Sequence, residues 1–275
     1  MTTATAPRTA PPRRPAPAPA PARTGNRNVT FETAPKAQAQ RIGIYGPGGI
    51  GKTTLAAAAP GPVAFFDLDD SLGVLEIEAQ RVPGIETWKD LRDALHAPGW
   101  DGVRSIVIDS GTHAEELAVA WTLAHVPNDK GCFMKRIEDY GWAKGYTYVY
   151  ETFMQLVGDL DAHVRAGRNV ILICHDCTAN VPNPAGEDYP RYEPRLQSPT
   201  SGKAAIRLRL REWLDHLLFV GYDVAVKKGK ALGSGTRTIY PNETPTCMAK
   251  SRTLDLVIPY PLGGTELWER LFPAA

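Results

Sequence analysis

The chain has 275 residues, of which 43 % are hydrophobic and 22 % charged, and its formal net charge is +1. This composition is that of a globular protein. No apolar run approaches the roughly 18 residues that a membrane-spanning helix needs, so we expect no membrane partner. Four cysteines favour a reducing compartment. With no hydrophobic signal segment in view, we expect a cytoplasmic protein.

Residues 1–40 form a tract of Pro, Ala, Thr and Arg with almost no large apolar side chains, which predicts a disordered arm. Residues 1–41 carry seven Lys and Arg against one acid, whereas the remainder carries 24 basic and 29 acidic residues. Such an arm has weak, salt-sensitive affinity for nucleic acid, or else serves as a solubilising leader. Residues 41–275 are predicted to form a single folded domain.

Five apolar segments separated by turn signals predict the strands of a buried sheet. They are RIGIY (41–45), PVAFFD (62–67), VRSIVID (103–109), NVILIC (169–174) and HLLFVGYDVAV (216–226). Helical stretches lie between them: KTTLAAAA (52–59), HAEELAVAWTLAHV (113–126) and YTYVYETFMQLVGDLDAHVRAG (146–167). Strands that alternate with helices predict an α/β fold with a mostly parallel central sheet flanked by helices.

Two later regions depart from this alternation. After residue 216 the segments DVAVKK and TRTIY, bridged by GKALGSG, predict a C-terminal β-hairpin extension. Residues 178–202 are too polar and too rich in proline for a core element. We therefore predict a long loop there, which in a compact domain is either functional or disordered.

One motif carries a specific chemistry. The segment GPGGIGKTT satisfies G-x-x-x-x-G-K-[ST], follows a predicted strand and opens a predicted helix, which is the context of a phosphate-binding loop. Its backbone N–H groups and the helix N-terminus favour phosphate, Lys52 reaches the β- and γ-phosphates, and the Thr53 hydroxyl binds magnesium. The predicted nucleotide-binding residues are Gly46, Pro47, Gly48, Gly49, Ile50, Gly51, Lys52, Thr53 and Thr54.

Acidic residues follow two of the predicted strands. Asp109 ends the third strand, at the carboxyl edge where ligands bind in open α/β sheets, and is the predicted magnesium residue together with Thr53. Its alternative role is to cap the next helix. Ser110 follows it, so a water-activating carboxylate must come from elsewhere. The second strand offers Asp67, Asp69 and Asp70. The alternative for these is a capping cluster before a helix over SLGVLEIEAQ, with Asp70 as the cap.

The order of these features is similar to that of RecA-like recombinase ATPases. More narrowly, GPGGIGKTT, FFDLDDSLGVLE, IVIDSGT, GWAKGYTYVYE, ILICHD and AKSR resemble segments of the compact RecA-like ATPases that bacteriophages encode for single-strand annealing and recombination. The resemblance covers roughly residues 41–260. It implies a RecA-like P-loop NTPase fold, ATP and Mg²⁺ as cofactors, and the host cytoplasm for a phage-encoded protein.

The resemblance also implies catalytic roles. The family's water-activating glutamate matches Asp69, which is one methylene shorter. His175, at the end of the fourth strand, matches its polar sensor, although an ordinary strand-end histidine is the alternative. Lys250 and Arg252 match a Lys-x-Arg pair that reaches the ATP site of the neighbouring subunit in a head-to-tail homo-oligomer. A solvated basic turn is the alternative for that pair.

Family members bind single-stranded DNA through loops that correspond here to residues 127–145 and 178–203. Arginines interleaved with aromatics suit a phosphate backbone and stacked bases, and residues 191–230 hold nine Lys and Arg against four acids. The predicted DNA-binding residues are Arg191, Tyr192, Arg195 and Lys203. DNA and a single-strand-binding protein are the candidate partners of the basic arm.

Two functions follow from these features. The first is a DNA-stimulated ATPase that acts on single-stranded DNA in recombination or annealing, with ATP sites completed between subunits. The second is a nucleotide-dependent switch or loader that controls a protein partner and turns over slowly. A small-molecule kinase is disfavoured because no lid-like arginine cluster follows the phosphate loop.

Overall fold

The computed structural model describes residues 38–75, 77, 79–199, 203–227 and 230–273, together with Phe31. The rest of the arm predicted over residues 1–40, up to residue 37, therefore lies outside the described residues. Within the described part of the chain, no helix combines the length and the apolar character that a membrane crossing needs.

An eight-stranded sheet forms the centre of the fold, in the order β10-β9-β8-β1-β5-β4-β2-β3. Strands β1, β2, β3, β4, β5 and β8 run parallel, and β9 and β10 are antiparallel additions at one edge. The bounds are β1 Arg41–Tyr45, β2 Val63–Asp67, β3 Gln80–Arg81, β4 Ser105–Asp109, β5 Asn169–Cys174, β6 Asp176–Val181, β7 Tyr189–Pro194, β8 His216–Lys227, β9 Lys230–Tyr240 and β10 Ile258–Pro259. The predicted α/β class with a mostly parallel sheet is confirmed.

Helices cover both faces of the sheet. They are α1 Lys52–Ala57, α2 Trp88–His96, α3 Gly111–His125, α4 Lys144–Arg165, α5 Ile206–Trp213 and α6 Glu266–Leu271, and short 3₁₀ helices span Leu72–Val74 and Ile137–Tyr140. The core on one face includes Trp88, Phe153 and Leu210, from α2, α4 and α5. The core on the other face includes Leu55 and Trp268, from α1 and α6. Burial on both faces explains why the central strands read as continuous apolar runs.

Residues 178–181 and 189–194, inside the region predicted as a loop over residues 178–202, are strands of a hairpin, so the loop prediction is wrong for those residues. Strands β6 and β7 pair antiparallel from Asp176↔Pro194 to Val181↔Tyr189 in a separate two-stranded sheet. Polar residues make these strands because Arg191 and Glu193 bury their side chains in an ion pair with each other. Half of the residues of β7 are therefore buried although the strand shows no hydrophobic pattern in the sequence.

Two further local predictions are wrong. The segment KALGSG was expected to bridge a hairpin, but it forms the first half of β9, which begins at Lys230. Among the described residues of SLGVLEIEAQ, the only helix is the 3₁₀ turn Leu72–Val74. Asp67, not Asp70, serves that turn: its carboxylate accepts the backbone N–H of Ser71 at 2.8 Å and that of Leu72 at 3.2 Å.

Candidate nucleotide site

The loop between β1 and α1 has the backbone that the motif requires. Gly46 lies against β8 so closely that a Cβ there would come within 2.1 Å of the Val220 carbonyl oxygen. Gly51 immediately precedes α1 with φ +97°, a left-handed conformation that favours glycine. Only glycine fits either position without strain or clash. These two residues therefore fix the path of the loop around the start of α1.

Lys52 begins α1, and its side chain is buried over the loop. Its ammonium donates to the carbonyl oxygens of Gly46 at 2.8 Å and Pro47 at 2.9 Å. Burial lowers the pKa of the ammonium, and the nearby Asp109 carboxylate opposes that shift. An anion at the loop would lie beside a cation whose hydrogen bonds go to carbonyl oxygens of the loop itself, so the residues present fit a bound polyphosphate.

Thr53 and Asp109 meet at the carboxyl edge of the sheet. The Thr53 hydroxyl donates to Asp109 Oδ2 at 2.6 Å, and the Ser71 hydroxyl donates to the same oxygen at 3.2 Å. Burial raises the pKa of Asp109, while the hydrogen bond from Thr53 acts in the opposite direction. Hydroxyl and carboxylate oxygens are the ligands that magnesium prefers, so this group fits Mg²⁺. The helix-capping alternative for Asp109 is wrong, because the Ser110 hydroxyl accepts the His113 N–H at the start of α3.

Asp69 lies between two imidazoles at the same edge. One carboxylate oxygen is 3.0 Å from His113 Nδ1, and the other is 3.1 Å from His175 Nε2. The backbone N–H of Asp69 donates to the Asp109 carbonyl oxygen at 3.2 Å, which ties the end of β2 to the end of β4. The structure therefore brings Asp69 and His175 to the sheet edge where Thr53 and Asp109 meet.

A comparison with known protein families supports a nucleotide site here. A family model described as an AAA domain matches residues 38–253. The chain belongs to the AAA-domain family. A comparison with curated proteins finds no match. AAA domains are P-loop proteins that bind nucleotides and are generally ATPases, and they typically use ATP with Mg²⁺.

Two residues that contact this group of side chains are absent from the sequence-based prediction. His113 lies in the first turn of α3, three residues beyond Ser110, and Ser71 follows the acidic cluster of β2. The available signal was positional, since each residue lies four positions beyond the end of a strand, Ser71 after β2 and His113 after β4. Neither belongs to a motif, so sequence alone offered no reason to choose them.

Lys250 and Arg252, the predicted Lys-x-Arg pair, lie in the segment between β9 and β10. Lys250 donates to the carbonyl oxygens of Arg211 at 3.1 Å, Glu212 at 3.2 Å and Leu214 at 2.8 Å, at the C-terminus of α5. The Lys250 ammonium is thus hydrogen-bonded to a helix of its own chain. It could reach the ATP site of a neighbouring subunit only if these hydrogen bonds were broken. Arg252 is 61 % exposed and pairs with Asp215 at 2.9 Å. Of the two, Arg252 is the accessible cation.

The predicted DNA-binding residues of the AAA domain also include one buried side chain and several exposed ones. Arg191 is buried and ion-paired to Glu193 and Glu243, so it does not line an open surface, contrary to the prediction. The physical reason is its place on the inward side of β7, beside two acids. Tyr192 is 42 % exposed and stacks on Phe219 at 5.1 Å, while Arg195 and Lys203 are exposed.

Proposed function

We propose that the protein is a Mg²⁺-dependent ATPase in which Asp69 orients the attacking water. The observation that carries this proposal is the Asp69 carboxylate, held between His113 and His175 beside Asp109. In this proposal Lys52 and the loop amides hold the phosphates, and Thr53 and Asp109 hold the magnesium ion, which neutralises charge on the phosphoryl oxygens.

The surroundings of Asp69 suit a carboxylate that orients a water molecule. Its side chain is 23 % exposed, so water reaches it, while two imidazoles restrict its rotation. Both contacts become hydrogen bonds when His113 carries a proton on Nδ1 and His175 carries one on Nε2. An anion held in this way accepts a hydrogen bond from water in a defined direction, which is the role that phosphoryl transfer requires of a general base.

We further propose that single-stranded DNA stimulates this activity through the β6–β7 hairpin. The hairpin starts at Asp176, next to His175, and the Arg195 N–H just after it donates to the His175 carbonyl oxygen at 2.9 Å. Thr112 accepts the His175 N–H at 3.1 Å from the side of α3. A strand of DNA held by Arg195, Lys203 and the Tyr192 ring would therefore act on the backbone that carries His175.

Homo-oligomerisation forms part of the same proposal. Arg252 is exposed and cationic, and in a head-to-tail assembly it would contribute charge to the ATP site of the next subunit. The accessibility of Arg252 and the family resemblance support this role. Lys250 cannot take a similar role while its ammonium is bonded to the carbonyl oxygens at the end of α5.

The experiment is ATP turnover at low salt with and without oligo-dT. We expect stimulation in the unaltered protein, no turnover in Lys52→Ala, and basal but unstimulated turnover in Arg195→Ala. Arg209→Ala is the matched control, because Arg209 is an exposed arginine that pairs only with its helical neighbour Glu212 among the described residues. A protein that hydrolyses ATP with no response to DNA would contradict the DNA proposal and leave the ATPase proposal intact.

A slow nucleotide switch is the second candidate. It is favoured by the two imidazoles on Asp69, which each take one carboxylate oxygen and leave fewer acceptor positions for an attacking water. The same assay separates the candidates: a switch binds ATP tightly and turns over slowly whether or not DNA is present.

A further inference from the structure

The phosphate loop has two different neighbourhoods. β1, which leads into it, is flanked by β5 and then β4 on one side, and by β8 and then β9 on the other. Thr53, Asp109 and Asp69 meet on the β4 side. A triphosphate is a linear chain, so a nucleotide whose terminal phosphate faces these residues extends its nucleoside away from the β4 side of the loop. Strands β8 and β9 form the opposite side.

Tyr222 stands on that second side. The Val220 carbonyl oxygen touches Gly46, and Tyr222 follows two residues later on β8, so its side chain shares the face of Val220. Val220 packs with Ile50 and Leu55, which places this face on the side of α1. Tyr222 therefore lies just beyond the phosphate loop, on the side from which α1 starts, and it is 41 % exposed.

Arg237 lies opposite Tyr222 on β9, with its guanidinium carbon 5.6 Å from the centre of the Tyr222 ring. Its carbonyl oxygen accepts the Tyr260 N–H at 2.8 Å, and the Tyr260 hydroxyl donates to the Gly51 carbonyl oxygen at 2.8 Å. Within the described ranges Arg237 has no acidic partner, and its Nε is buried without an acceptor. The pair is thus tied to the phosphate loop, and its cation is not neutralised by an acid there.

Leu262 completes the surface from the C-terminal segment. Its Cδ1 atom is 2.6 Å from where a Cβ at Gly51 would lie, yet the side chain is 57 % exposed. An aliphatic side chain directly beside the loop, left open to solvent, offers an apolar contact at the point where a nucleoside would leave the phosphate site.

We propose that Tyr222, Arg237 and Leu262 form the surface that binds the base and ribose of the nucleotide, an inference that rests on the proposed function. The Tyr222 ring and the Leu262 methyl groups offer the flat, apolar contacts that a purine favours. The Arg237 guanidinium packs on one face of the Tyr222 ring and restricts its orientation. It also places a positive charge near the nucleoside end of the polyphosphate.

The test compares two ligands that differ only in the nucleoside: Mg·ATP and Mg·tripolyphosphate, each titrated by calorimetry into the full-length protein. We expect Tyr222→Ala to weaken ATP binding about tenfold, the loss typical of one stacking contact, and Leu262→Ser to weaken it through the loss of an apolar contact. Tripolyphosphate binding should be unchanged in both variants. Tyr222→Phe should bind ATP like the unaltered protein. Phe133→Ala, which removes a 61 % exposed aromatic from the loop after α3, is the control.

The outcomes separate this inference from the proposed function. If the unaltered protein binds neither ligand, the proposed function fails. If it binds ATP and the Tyr222 and Leu262 variants bind ATP equally well, the nucleoside surface is overturned while the phosphate site stands. Equal loss of both ligands in the two variants also overturns it, because a nucleoside contact cannot weaken tripolyphosphate.

Discussion

The Thr53 hydroxyl donates a 2.6 Å hydrogen bond to the Asp109 carboxylate, although 56 residues separate them in the chain. The bond joins the first turn of α1 to the end of β4 and assembles the two oxygens predicted to bind magnesium. Burial makes the Asp109 anion unfavourable in the folded protein and raises its pKa. The site is therefore built for a cation at a cost in stability.

Asp109→Asn should stabilise the metal-free protein while impairing Mg²⁺-dependent ATP binding. Because the pKa of Asp109 is raised by folding, the native state loses stability as pH rises above the carboxylate's unfolded pKa. At pH 7 we expect the variant's Tm to be higher than that of the unaltered protein, because the amide carries no charge that burial disfavours. Thermal scans should show the gain vanish below about pH 4, where the carboxylate is protonated in both states.

Asp101→Asn is the control for that experiment, since it changes the same group at an exposed turn before β4. A lower Tm for metal-free Asp109→Asn at pH 7 would mean that the anion stabilises the fold, contrary to the direction of its pKa.

Asp69→Asn should abolish turnover and leave ATP binding nearly intact. The amide keeps the size of the side chain but no longer accepts a proton, so we expect kcat to fall by about 10²–10⁴-fold. Phosphate release measures turnover, and calorimetry measures the Kd for ATP. Asp70→Asn is the matched control, because the adjacent Asp70 side chain is 90 % exposed. Turnover that survives in Asp69→Asn would remove Asp69 from the mechanism.

Glu115→Gln should flatten the dependence of stability on pH. Burial on α3 raises the pKa of Glu115 from 4.5 to about 7, although its carboxylate accepts the Gln197 N–H at 2.8 Å. The native state then holds a proton that the unfolded chain releases, so the free energy of unfolding falls as pH rises from about 4.5 to about 7.

Urea titrations at pH 5 and pH 8 measure this effect. We expect the decline of the unaltered protein between these pH values to be smaller in Glu115→Gln by about 2 kcal/mol. The neighbouring exposed residue provides the control Glu116→Gln, whose pH profile should match that of the unaltered protein. An identical slope in both variants would contradict the assignment.

Lys250→Ala should destabilise the fold more than Arg252→Ala. Loss of the Lys250 ammonium leaves the carbonyl oxygens at the end of α5 without their donor, so we expect a loss of about 1–3 kcal/mol in the free energy of unfolding. Arg252 makes one largely exposed ion pair, so its loss should cost less than about 1 kcal/mol.

Turnover reports on the role of Arg252 between subunits. If it completes a neighbour's site, Arg252→Ala should lose turnover while folding normally, and a mixture with Lys52→Ala should recover part of it. A folded Arg252→Ala protein with full turnover would show that the residue acts only within its own chain.

The phosphate loop could be predicted from the sequence because its chemistry lies in consecutive residues. The glycines, Lys52 and Thr53 are adjacent in GPGGIGKTT, and Asp109 ends an apolar run whose burial follows from its composition. The parallel sheet was equally visible, since strands buried on both faces need no partner to be recognised.

Only the tertiary structure decided how the remaining side chains are used. His175 reaches Asp69 across 106 residues, and His113 reaches it across 44, because β2, β4 and β5 lie side by side in an order that no local pattern encodes. Contacts with distant residues also decide how Lys250 is used, since its ammonium donates to a carbonyl oxygen at the end of α5. Arg191 is buried in an ion pair with Glu193 and so is not on the surface. Short-range propensities determined the central strands and the phosphate loop. Contacts between distant segments determined which charges face the nucleotide site, the interior or the solvent.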